Sequence, residues 1–463
     1  MMKSSLIRIS LIFILLVLFI PDLTSAQTQT FIKEYTYQAS EADSKISSRA
    51  IALEQVKRLL LEELGTYIES HTEVINFQLT KDQITALTAG IVKTQILKEK
   101  WDGERYWIQA KIDADAHEVV KAIDSLRRDR EKSKELEDAN KRAEYAFKEV
   151  ERLRKELELS KKDQTKIARY DEAIKELGAT DWYRKGISLA RTGNYDEAIA
   201  ASTKAIELNP KYSLAYVTRS FAYSRLGDYQ QGLADSNRAI ELDPKNALAY
   251  VNRGFAYSKL GDYKQVLADS NRAIELDPKI SMAYVNRGLA YSKSGNYQRF
   301  LADSNRAIEL DPKNALAYVN RGVAYRNLGD NQQAIADYNR AIELDPKNAL
   351  AYVNRGFAYS KLGDYKQLLA DSNRAIELDP KISMAYVNRG LAYSKLGDYK
   401  QLLADSNRAI ELDPKNALAY VNRGSAYSRL GYKERAISDY KTAARLGHRG
   451  AQDFLRSKGM SWE

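Results

Sequence analysis

The chain has 463 residues, no cysteine, three histidines and a formal net charge of +10 at pH 7. The lack of cysteine excludes disulfide frameworks, zinc–thiolate sites and cysteine nucleophiles, and three scattered histidines disfavour histidine-based acid–base chemistry and metal ligation. The basic excess is spread over repeated segments that mix both signs of charge, which is typical of a soluble surface and not of a nucleic-acid-binding patch.

The first segment has the pattern of a secretory signal peptide. Lys3 and Arg8 flank or enter an apolar run at residues 6–20, and small residues follow at 24–26. This order predicts a signal peptide at residues 1–26 that is cleaved on export. The alternative is an uncleaved membrane anchor, for which the run is short. We expect an exported protein, periplasmic or secreted, of a bacterial envelope, and no membrane span after cleavage. Export also argues against a nucleic-acid partner.

Residues 27–115 are predicted to form a small α/β domain. An alternating pattern indicates a strand, a 3–4 spacing of apolar residues indicates a helix, and two further alternating segments meet at a turn at Asp102 and Gly103. The predicted elements are a strand at 31–38, a helix at 44–70, and strands at 91–100 and 105–113.

This domain resembles the small envelope-associated domain of the flagellar assembly protein T family and of LPP20-type lipoproteins. The likeness covers about a fifth of the chain and consists of three short motifs. They are Tyr35, Tyr37 and Ala39 in the first strand, Ser48, Arg49, Ala50, Ala52 and Leu53 in the helix, and Tyr106, Trp107, Ala110, Lys111 and Ile112 in the last strand. The lipid-acceptor cysteine is missing. The alternative is an unrelated α/β domain.

An enzyme would have to use this domain, where Glu62, Glu63, His71 and Asp113 are the candidate groups. No spacing pairs them into an acid–base, nucleophilic or metal-binding arrangement. We therefore expect a non-catalytic protein with no catalytic residue, no cofactor and no metal.

Residues 116–162 are predicted to form one long charged helix. Apolar residues alternate at three and four over about three heptads, at Leu136, Ala139, Ala143, Ala146, Val150, Leu153 and Leu157. This pattern permits a parallel homodimer through residues 136–160. Alanine at three positions weakens such a dimer, so a single charged spacer helix, or one packed on the repeat array that follows, is an equal alternative. Residues 163–178 are predicted to form a capping helix.

Prolines 34 residues apart dominate the rest of the chain, at Pro210, Pro244, Pro278, Pro312, Pro346, Pro380 and Pro414. Counting each proline as position 32 defines eight units over residues 179–450. The third unit has Tyr250 at position 4, Gly254 at 8, Gly261 and Asp262 at 15–16, and Ala273 at 27. A repeat of this length is one supersecondary unit that buries its apolar face only by stacking.

These residues resemble the tetratricopeptide repeat over about 60% of the chain. The resemblance implies two antiparallel helices per unit and a mainly α fold, a right-handed α-solenoid preceded by the long charged helix and the small α/β domain. Residues 451–463 are predicted to be a C-terminal capping helix and tail.

Two departures from the family pattern predict specific packing. Where position 20 is bulky, as in Val266, position 24 is serine, and where position 20 is Ala334, position 24 is Tyr338. A large side chain at one of the two positions is thus accompanied by a small one at the other, one helical turn away. The second unit has small residues at both positions, so we expect its helices to be loosely packed. Positions 7 and 23 are Arg and Asp in seven units, which predicts a bridge between the two helices, the alternative being two independent surface charges.

The family resemblance implies a ligand groove along the first helices, at positions 2, 5, 9, 12 and 13. Carried onto this chain, these positions form an apolar stripe edged by lysines, which suits a protein segment with apolar and acidic residues. The alternative is that positions 2, 5 and 9 only pack unit against unit. The predicted groove residues are Phe221, Leu248, Val251, Phe255, Lys259, Met282, Val285, Leu289, Lys293, Leu316, Val319, Leu350, Val353, Phe357, Lys361, Met384, Val387, Leu391 and Lys395.

Some members of the family clamp a C-terminal carboxylate with lysine and asparagine. Asparagine occupies one clamp position in several units, but Tyr183 and Ile187 replace the paired residues of the first unit, so we reject a full clamp. The leading hypothesis is an exported scaffold that binds protein segments in envelope assembly or organisation. The alternative is a structural dimeric spacer with no peptide ligand.

Overall fold

The computed structural model describes residues 28–40, 43–72, 92–128, 130–159 and 163–462. The chain separates into two compact parts, Met1–Ile174 and Lys175–Glu463. The predicted signal peptide at residues 1–26 falls outside the described residues and stays a prediction. Among the helices that the structure describes, none is both long enough and apolar enough to cross a lipid bilayer.

The amino-terminal part contains an antiparallel sheet with the strand order β1-β3-β2. Phe31 pairs with Ile112, and a register shift lies between Ile96 and Lys98. Gly103, at the turn before the last strand, has φ +105°, a left-handed conformation that favours glycine. The three strands predicted from alternation are therefore confirmed. Their bounds are Gln29–Gln38 for β1, Thr94–Trp101 for β2 and Arg105–Ala114 for β3.

Helix α1, Lys45–Thr72, covers one face of this sheet. Leu60 and Leu64 of the helix and Ile108 of the strand are fully buried. The predicted helix is confirmed, and Ile46 in its first turn is 76% exposed. Ser47 faces inward instead, because its hydroxyl bonds to the residues that precede the helix.

The charged segment is helical on both sides of residue 129, over Ala116–Arg128 (α2) and Arg130–Leu159 (α3). Its heptad seam is covered within a single chain. The guanidinium of Arg58 in α1 lies 4.1 Å from the ring centroid of Phe147 in α3. The described seam residues are 0–4% exposed: Ala139, Ala143, Ala146, Val150, Leu153 and Leu157. The side chain of Leu136 is not among those described. The apolar surface on which the dimer hypothesis rests is therefore already buried by the amino-terminal domain.

The predicted capping helix at residues 163–178 is not a separate helix. The structure has one uninterrupted helix, Gln164–Arg191 (α4), which contains the first helix of the first unit. Gly178 lies in its interior, and a Cβ there would be 3.2 Å from Leu208. This glycine permits a close approach between helices and does not end the helix, because no proline or capping residue follows it.

The eight predicted helix pairs are present over residues 179–450. Each unit supplies a first helix and a second helix of 13 or 14 residues, the first unit starting within α4. The remaining helices are Tyr195–Leu208 (α5), Ser213–Leu226 (α6), Tyr229–Leu242 (α7), Ala247–Leu260 (α8), Tyr263–Leu276 (α9), Ser281–Lys293 (α10), Tyr297–Leu310 (α11), Ala315–Asn327 (α12), Asn331–Leu344 (α13), Ala349–Lys361 (α14), Tyr365–Leu378 (α15), Ser383–Leu396 (α16), Tyr399–Leu412 (α17), Ala417–Arg429 (α18), Lys433–Arg445 (α19) and the closing helix Arg449–Ser457 (α20).

Recurring turn residues join the helices of each unit. In the third unit Gly261 has φ +87°, and the Asp262 carboxylate accepts a hydrogen bond from the backbone N–H of Gln265 at the start of α9. Between units, the hydroxyl of Tyr250 donates to the carbonyl oxygen of Pro244 at 3.2 Å. The repeated Gly-Asp and Pro positions thus fix where each helix begins and ends.

An Arg–Asp bridge joins the two helices in seven units, as predicted. In the third unit Arg253 donates from Nε and Nη2 to the two carboxylate oxygens of Asp269 at 2.9 and 2.7 Å. The Asp269 side chain is 3% exposed, which excludes two independent surface charges. The equivalent pairs are Arg219/Asp235, Arg287/Asp303, Arg321/Asp337, Arg355/Asp371, Arg389/Asp405 and Arg423/Asp439.

The volume exchange between positions 20 and 24 is also confirmed. Val266 is fully buried beside Ser270, whereas in the fifth unit Ala334 and Tyr338 are both fully buried. The glycine at position 8 accepts the larger group, since a Cβ on Gly322 would lie 2.6 Å from Tyr338 Cε1. Bulk at either position therefore fills the same space between the helices.

The second unit is not loose, so that expectation is wrong. The hydroxyl of Ser220 donates to the carbonyl oxygen of Gly232 at 2.8 Å and lies 2.6 Å from the hydroxyl of Ser236. A Cβ on Gly232 would be 2.5 Å from Ser224 Oγ. Closer helix approach and a buried hydroxyl pair replace the missing bulky side chain.

Candidate functional site

The first helices of neighbouring units lie side by side along the array, α6 beside α8, α8 beside α10, and so on to α16 beside α18. They form one continuous layer, so residues at the same position of successive units form rows across it. Packed helices are about 8–10 Å apart. One residue per unit therefore recurs about every 9 Å along a row.

The valines at position 5 do not belong to the exposed surface. Val251 packs with Tyr250 and Ala283 in the core between two units. The alternative that this position packs unit against unit is therefore what the structure shows. The five predicted valines are 5–6% exposed: Val251, Val285, Val319, Val353 and Val387.

Position 2 is divided between core and surface. Leu248 and Met282 are partly buried against the clusters between units. Leu316, Leu350 and Met384 are 45%, 56% and 38% exposed. These three side chains leave apolar surface on the layer of first helices.

The apolar side chains at position 9 keep a free face in every unit where they were predicted. Phe221 is 40% exposed. Phe255, Leu289, Phe357 and Leu391 are partly exposed. Partial exposure of large apolar groups at one position per unit is what a binding surface for an apolar segment requires.

The lysines at position 13 are exposed and lie against aromatic rings. Lys259 Nζ is 5.4 Å from the ring centroid of Phe255, and the sixth unit repeats this contact between Lys361 and Phe357 at 5.1 Å. The ring restrains the ammonium group without neutralising it. Each such pair presents an apolar face and a positive charge together.

In the fourth and seventh units the lysine at position 13 lies over a tyrosine of the preceding unit. Lys293 is 5.6 Å from the ring centroid of Tyr263, and Lys395 is 5.6 Å from that of Tyr365. These tyrosines at position 17 are not among the predicted groove residues. Their recurrence one residue after the Gly-Asp turn was the signal that could have identified them. We define the first-helix surface as positions 2, 9, 13 and 17 of units two to eight, without the buried valines.

Two further cations extend the row beyond the predicted set. Arg225 of the second unit donates from Nε to the hydroxyl of Tyr195 at 3.1 Å, and Arg429 of the eighth unit lies 5.8 Å from the ring centroid of Tyr399. The fifth unit differs, because Asn327 stands where the other units have lysine or arginine. The row of positive charge is therefore interrupted at its middle.

Four asparagines at position 6 donate to a backbone carbonyl of the preceding unit: Asn252, Asn286, Asn388 and Asn422. Asn286 is 2% exposed and donates from Nδ2 to the carbonyl oxygen of Val251 in the preceding unit at 3.1 Å. Asn388 makes the same bond to Val353 at 3.0 Å. Their amides therefore contribute to the stacking of neighbouring units.

The structure does not gather the enzyme candidates into one cluster among the residues it describes. Asp113 accepts hydrogen bonds from Thr30 and Lys111, both at 2.6 Å. Glu63 lies 3.3 Å from Lys33, on the helix covering the sheet. Glu62 is exposed, and the side chain of His71 is not among those described.

Family models of the tetratricopeptide repeat match more than half of the chain. Those described as "TPR repeat" match residues 222–261 and 322–363. Those described as "Tetratricopeptide repeat" match residues 179–212, 247–280, 283–314, 305–336, 349–382, 385–416 and 417–446. A comparison with curated proteins finds no match.

Solved structures with a similar fold include the APC/C hetero-tetramer Cut9–Hcn1, at a TM-score of 0.52 and 17% identity. That match covers 63% of this chain, which spans 59% of the other. A tetratricopeptide repeat protein from Parabacteroides merdae matches at 19% identity and a TM-score of 0.42, covering 54% of this chain and 98% of its own. YrrB, described as a TPR protein with an unusual peptide-binding site, matches at 26% identity and a TM-score of 0.32, covering 40% and 95%.

Proposed function

The chain belongs to the tetratricopeptide repeat family, and we propose that it is a non-catalytic scaffold that binds segments of other proteins on its first-helix surface. The observation that carries this proposal is the pairing at positions 9 and 13. Phe255 with Lys259, and Phe357 with Lys361, each keep a partly exposed ring beside an exposed ammonium group. An apolar face held beside a restrained cation suits a segment that carries both apolar and acidic side chains.

The spacing of the rows sets the spacing expected in the partner. Neighbouring first helices are about 9 Å apart, and a polyproline II segment has three residues per turn and advances about 3.1 Å per residue. A segment in that conformation that crosses the layer would therefore bring every third side chain, all on one face, near a cation at position 13. We propose acidic residues three positions apart, with apolar residues between them, as the preferred ligand.

A defined probe tests this chemistry. The acidic peptide is acetyl-(Glu-Leu-Ser)₄-amide, and the control peptide has glutamine in place of every glutamate. We expect the chain from residue 27 onward to bind the acidic peptide measurably by isothermal titration calorimetry, to bind it more weakly as salt rises, and to bind the glutamine peptide at least ten-fold more weakly.

Matched variants locate the binding on the protein. The double variant Phe255→Ala/Phe357→Ala should lower affinity for the acidic peptide at least five-fold. Its control is Leu260→Ala/Leu362→Ala, which removes exposed leucines at position 14, 42% and 50% exposed, outside the first-helix surface. Equal binding of the two peptides, or equal loss in both variants, would overturn the proposal. Circular dichroism confirms that each variant keeps its helices.

We further propose that the scaffold acts after export, in assembly or organisation of a bacterial envelope. The support for this is the charged, apolar and small-residue order at residues 1–26. Expression of the full chain in a bacterium, fractionation and N-terminal sequencing test it. A periplasmic or secreted product that begins at Gln27 is expected, and a cytoplasmic product that retains residues 1–26 contradicts export.

A further inference from the structure

The array contains two nearly identical blocks, residues 247–314 and 349–416. Each block is two units, the third with the fourth and the sixth with the seventh, and the blocks are offset by 102 residues. The first helices are identical over positions 1–13 in both pairs of units. The six differences are Val266/Leu368, Ser294/Leu396, Asn296/Asp398, Gln298/Lys400, Arg299/Gln401 and Phe300/Leu402.

The structure repeats the contacts of the binding groups in both blocks. The cation-to-ring distances at position 9 are 5.4 Å for Lys259 and 5.1 Å for Lys361. Those at position 17 are 5.6 Å for both Lys293 and Lys395. Each block therefore presents two cations, one on each of two neighbouring first helices, with the same rings beneath them.

The fifth unit separates the two blocks chemically. Asn327 replaces the lysine at position 13, and Asn331 replaces the tyrosine at position 17. The bond between units also differs here. Asn354 donates to Leu350 of its own helix and accepts from Arg326 of the fifth unit, both at 2.9 Å. Asn252, at the same place in the first block, donates to Val217 of the preceding unit at 3.0 Å. The row of lysines at position 13 is thus interrupted at Asn327, while Arg326 of the fifth unit lies against the ring of Phe357 in the second block.

We propose that the array carries two equivalent sites for the same acidic and apolar segment, one on each block, and that its partner presents that segment twice. The inference rests on the proposed function, which supplies the chemistry of each site. Lys259 and Lys293 define the first site, and Lys361 and Lys395 define the second. A partner with one copy would leave a fully formed site empty, whereas a partner with two copies gains from the fixed separation.

The two sites differ in the unit that precedes each block, where the fifth unit has Arg326 and Asn331 at positions 12 and 17 and the second unit has Ser224 and Tyr229. Arg326 lies 5.2 Å from the ring centroid of Phe357 and donates to Asn354 at 2.9 Å. At the first site the ring of Tyr229 meets that of Phe255 edge to face.

Stoichiometry is the direct test, with acetyl-(Glu-Leu-Ser)₄-amide as the probe. The chain from residue 27 onward should bind two peptides. Lys259→Glu/Lys293→Glu and Lys361→Glu/Lys395→Glu should each bind one, and the variant with all four changes should bind none. The charge-matched control Lys264→Glu/Lys279→Glu alters exposed lysines of the first block outside the site and should still bind two.

A tandem probe tests the use of both sites by one partner. Three units at about 9 Å each separate the sites by roughly 27 Å, and a flexible linker of about 25 residues matches this span. Two acidic peptides joined by such a linker should bind at least ten-fold more tightly than one, and each double variant should abolish the gain.

The outcomes separate this inference from the function beneath it. One peptide per wild-type chain, or loss of all binding in a single double variant, overturns the two sites and leaves the scaffold proposal standing. Two peptides per chain without a gain from the tandem probe overturns the partner that presents the segment twice. If the acidic peptide binds no better than the glutamine peptide, the proposed function fails and this inference fails with it.

Discussion

The guanidinium of Arg253 and the carboxylate of Asp269 form two parallel hydrogen bonds, of 2.9 and 2.7 Å, between the two helices of the third unit. The third nitrogen, Nη1, donates to Asn237 of the second unit at 2.9 Å. The Arg253 side chain therefore fixes the relative orientation of the two helices in its own unit. It also fixes the position of that unit against the preceding unit. Because burying two charges costs desolvation energy that offsets their attraction, this geometry contributes to register more than to net stability.

A double-mutant cycle distinguishes these two contributions. Asp269→Ala leaves the guanidinium without its main partner and should destabilise the array by about 2–3 kcal/mol. Arg253→Met/Asp269→Leu should cost less than the single change, about 1 kcal/mol or below, because no charge is left buried. Urea unfolding followed by circular dichroism measures both. A double variant no more stable than the single one would show that the pair contributes net stability.

Glycine at position 8 provides a second prediction with a built-in control. Gly322→Ala places a Cβ 2.6 Å from the buried ring of Tyr338 and should destabilise the array by about 1–3 kcal/mol. Gly254→Ala meets its nearest atom, Asp269 Cβ, at 3.5 Å and should be neutral or stabilising by up to about 1 kcal/mol, because alanine favours the helix.

The packing in the third unit predicts two further changes that should restore the stability lost in Gly322→Ala. Changing Tyr338 to serine and Ala334 to valine in the Gly322→Ala background gives the fifth unit the residues found at positions 20 and 24 of the third. Stability should return to within about 1 kcal/mol of the parent protein. Equal effects of alanine at Gly322 and Gly254 in thermal unfolding would contradict the volume exchange.

The helix pairs were predictable because each 34-residue unit carries its own turn residues. Gly261 and Asp262 mark one turn and Pro278 the next, so local chemistry alone fixes the boundaries. The exchange between positions 20 and 24 was also predictable, since it concerns two residues on one helix face. Contacts between units were harder, because the sequence does not show which face meets the neighbour. The third bond of Arg253, to Asn237, was missed for this reason.

For the candidate surface, too, the sequence predicted the helix positions but not which residues are buried between units. Helical spacing placed Val251 and Phe255 on one side of the first helix, but spacing alone does not tell a buried residue from an exposed one. The structure puts Val251 between two units and leaves Phe255 partly open. Similarly, the heptad pattern found the apolar face of α3, and only the fold shows that Arg58 and its helix cover that face.

The burial of that face gives a third prediction. Leu153 is 1% exposed within one chain, so Leu153→Asp should unfold the amino-terminal part and should not dissociate a dimer. Light scattering should give a monomer for the parent protein, with no concentration dependence of the thermal transition. Glu151 is exposed and lies next to the seam, so Glu151→Asp serves as the control and should change the stability of the amino-terminal part little. A parent dimer that Leu153→Asp converts into folded monomers would contradict the single-chain packing.

A buried carboxylate near the start of α1 makes part of the stability depend on pH. The Asp43 side chain is fully buried and accepts hydrogen bonds from the hydroxyls of Tyr37 and Tyr170 and from the backbone N–H of Ser40, the last at 2.7 Å. Arg154 lies 3.8 Å away. These contacts join β1, α3 and α4 around one charge. Asp43→Asn should therefore destabilise the amino-terminal part at pH 7 by about 2–3 kcal/mol.

The sign of the pH effect follows from the direction of the pKa shift. Burial by itself raises the pKa of Asp43, but the hydrogen bonds from Tyr170 and Ser40 outweigh it and hold the pKa below its ordinary value of 3.8. The charged form is thus favoured in the folded state. Its stabilisation is present above about pH 4 and is lost as the pH falls through the lower folded pKa.

The difference in stability between the parent protein and Asp43→Asn should consequently be constant from pH 7 to about pH 5 and shrink below pH 4. Denaturant unfolding in a Trp182→Phe/Trp462→Phe background measures it, because Trp101 and Trp107 then report only the amino-terminal part. A difference that grows on acidification would mean that burial dominates and that the folded carboxyl is easier to protonate than the unfolded one. A difference that does not change with pH would mean that the charge of Asp43 contributes nothing and that its hydrogen-bonding shape alone holds the three elements together.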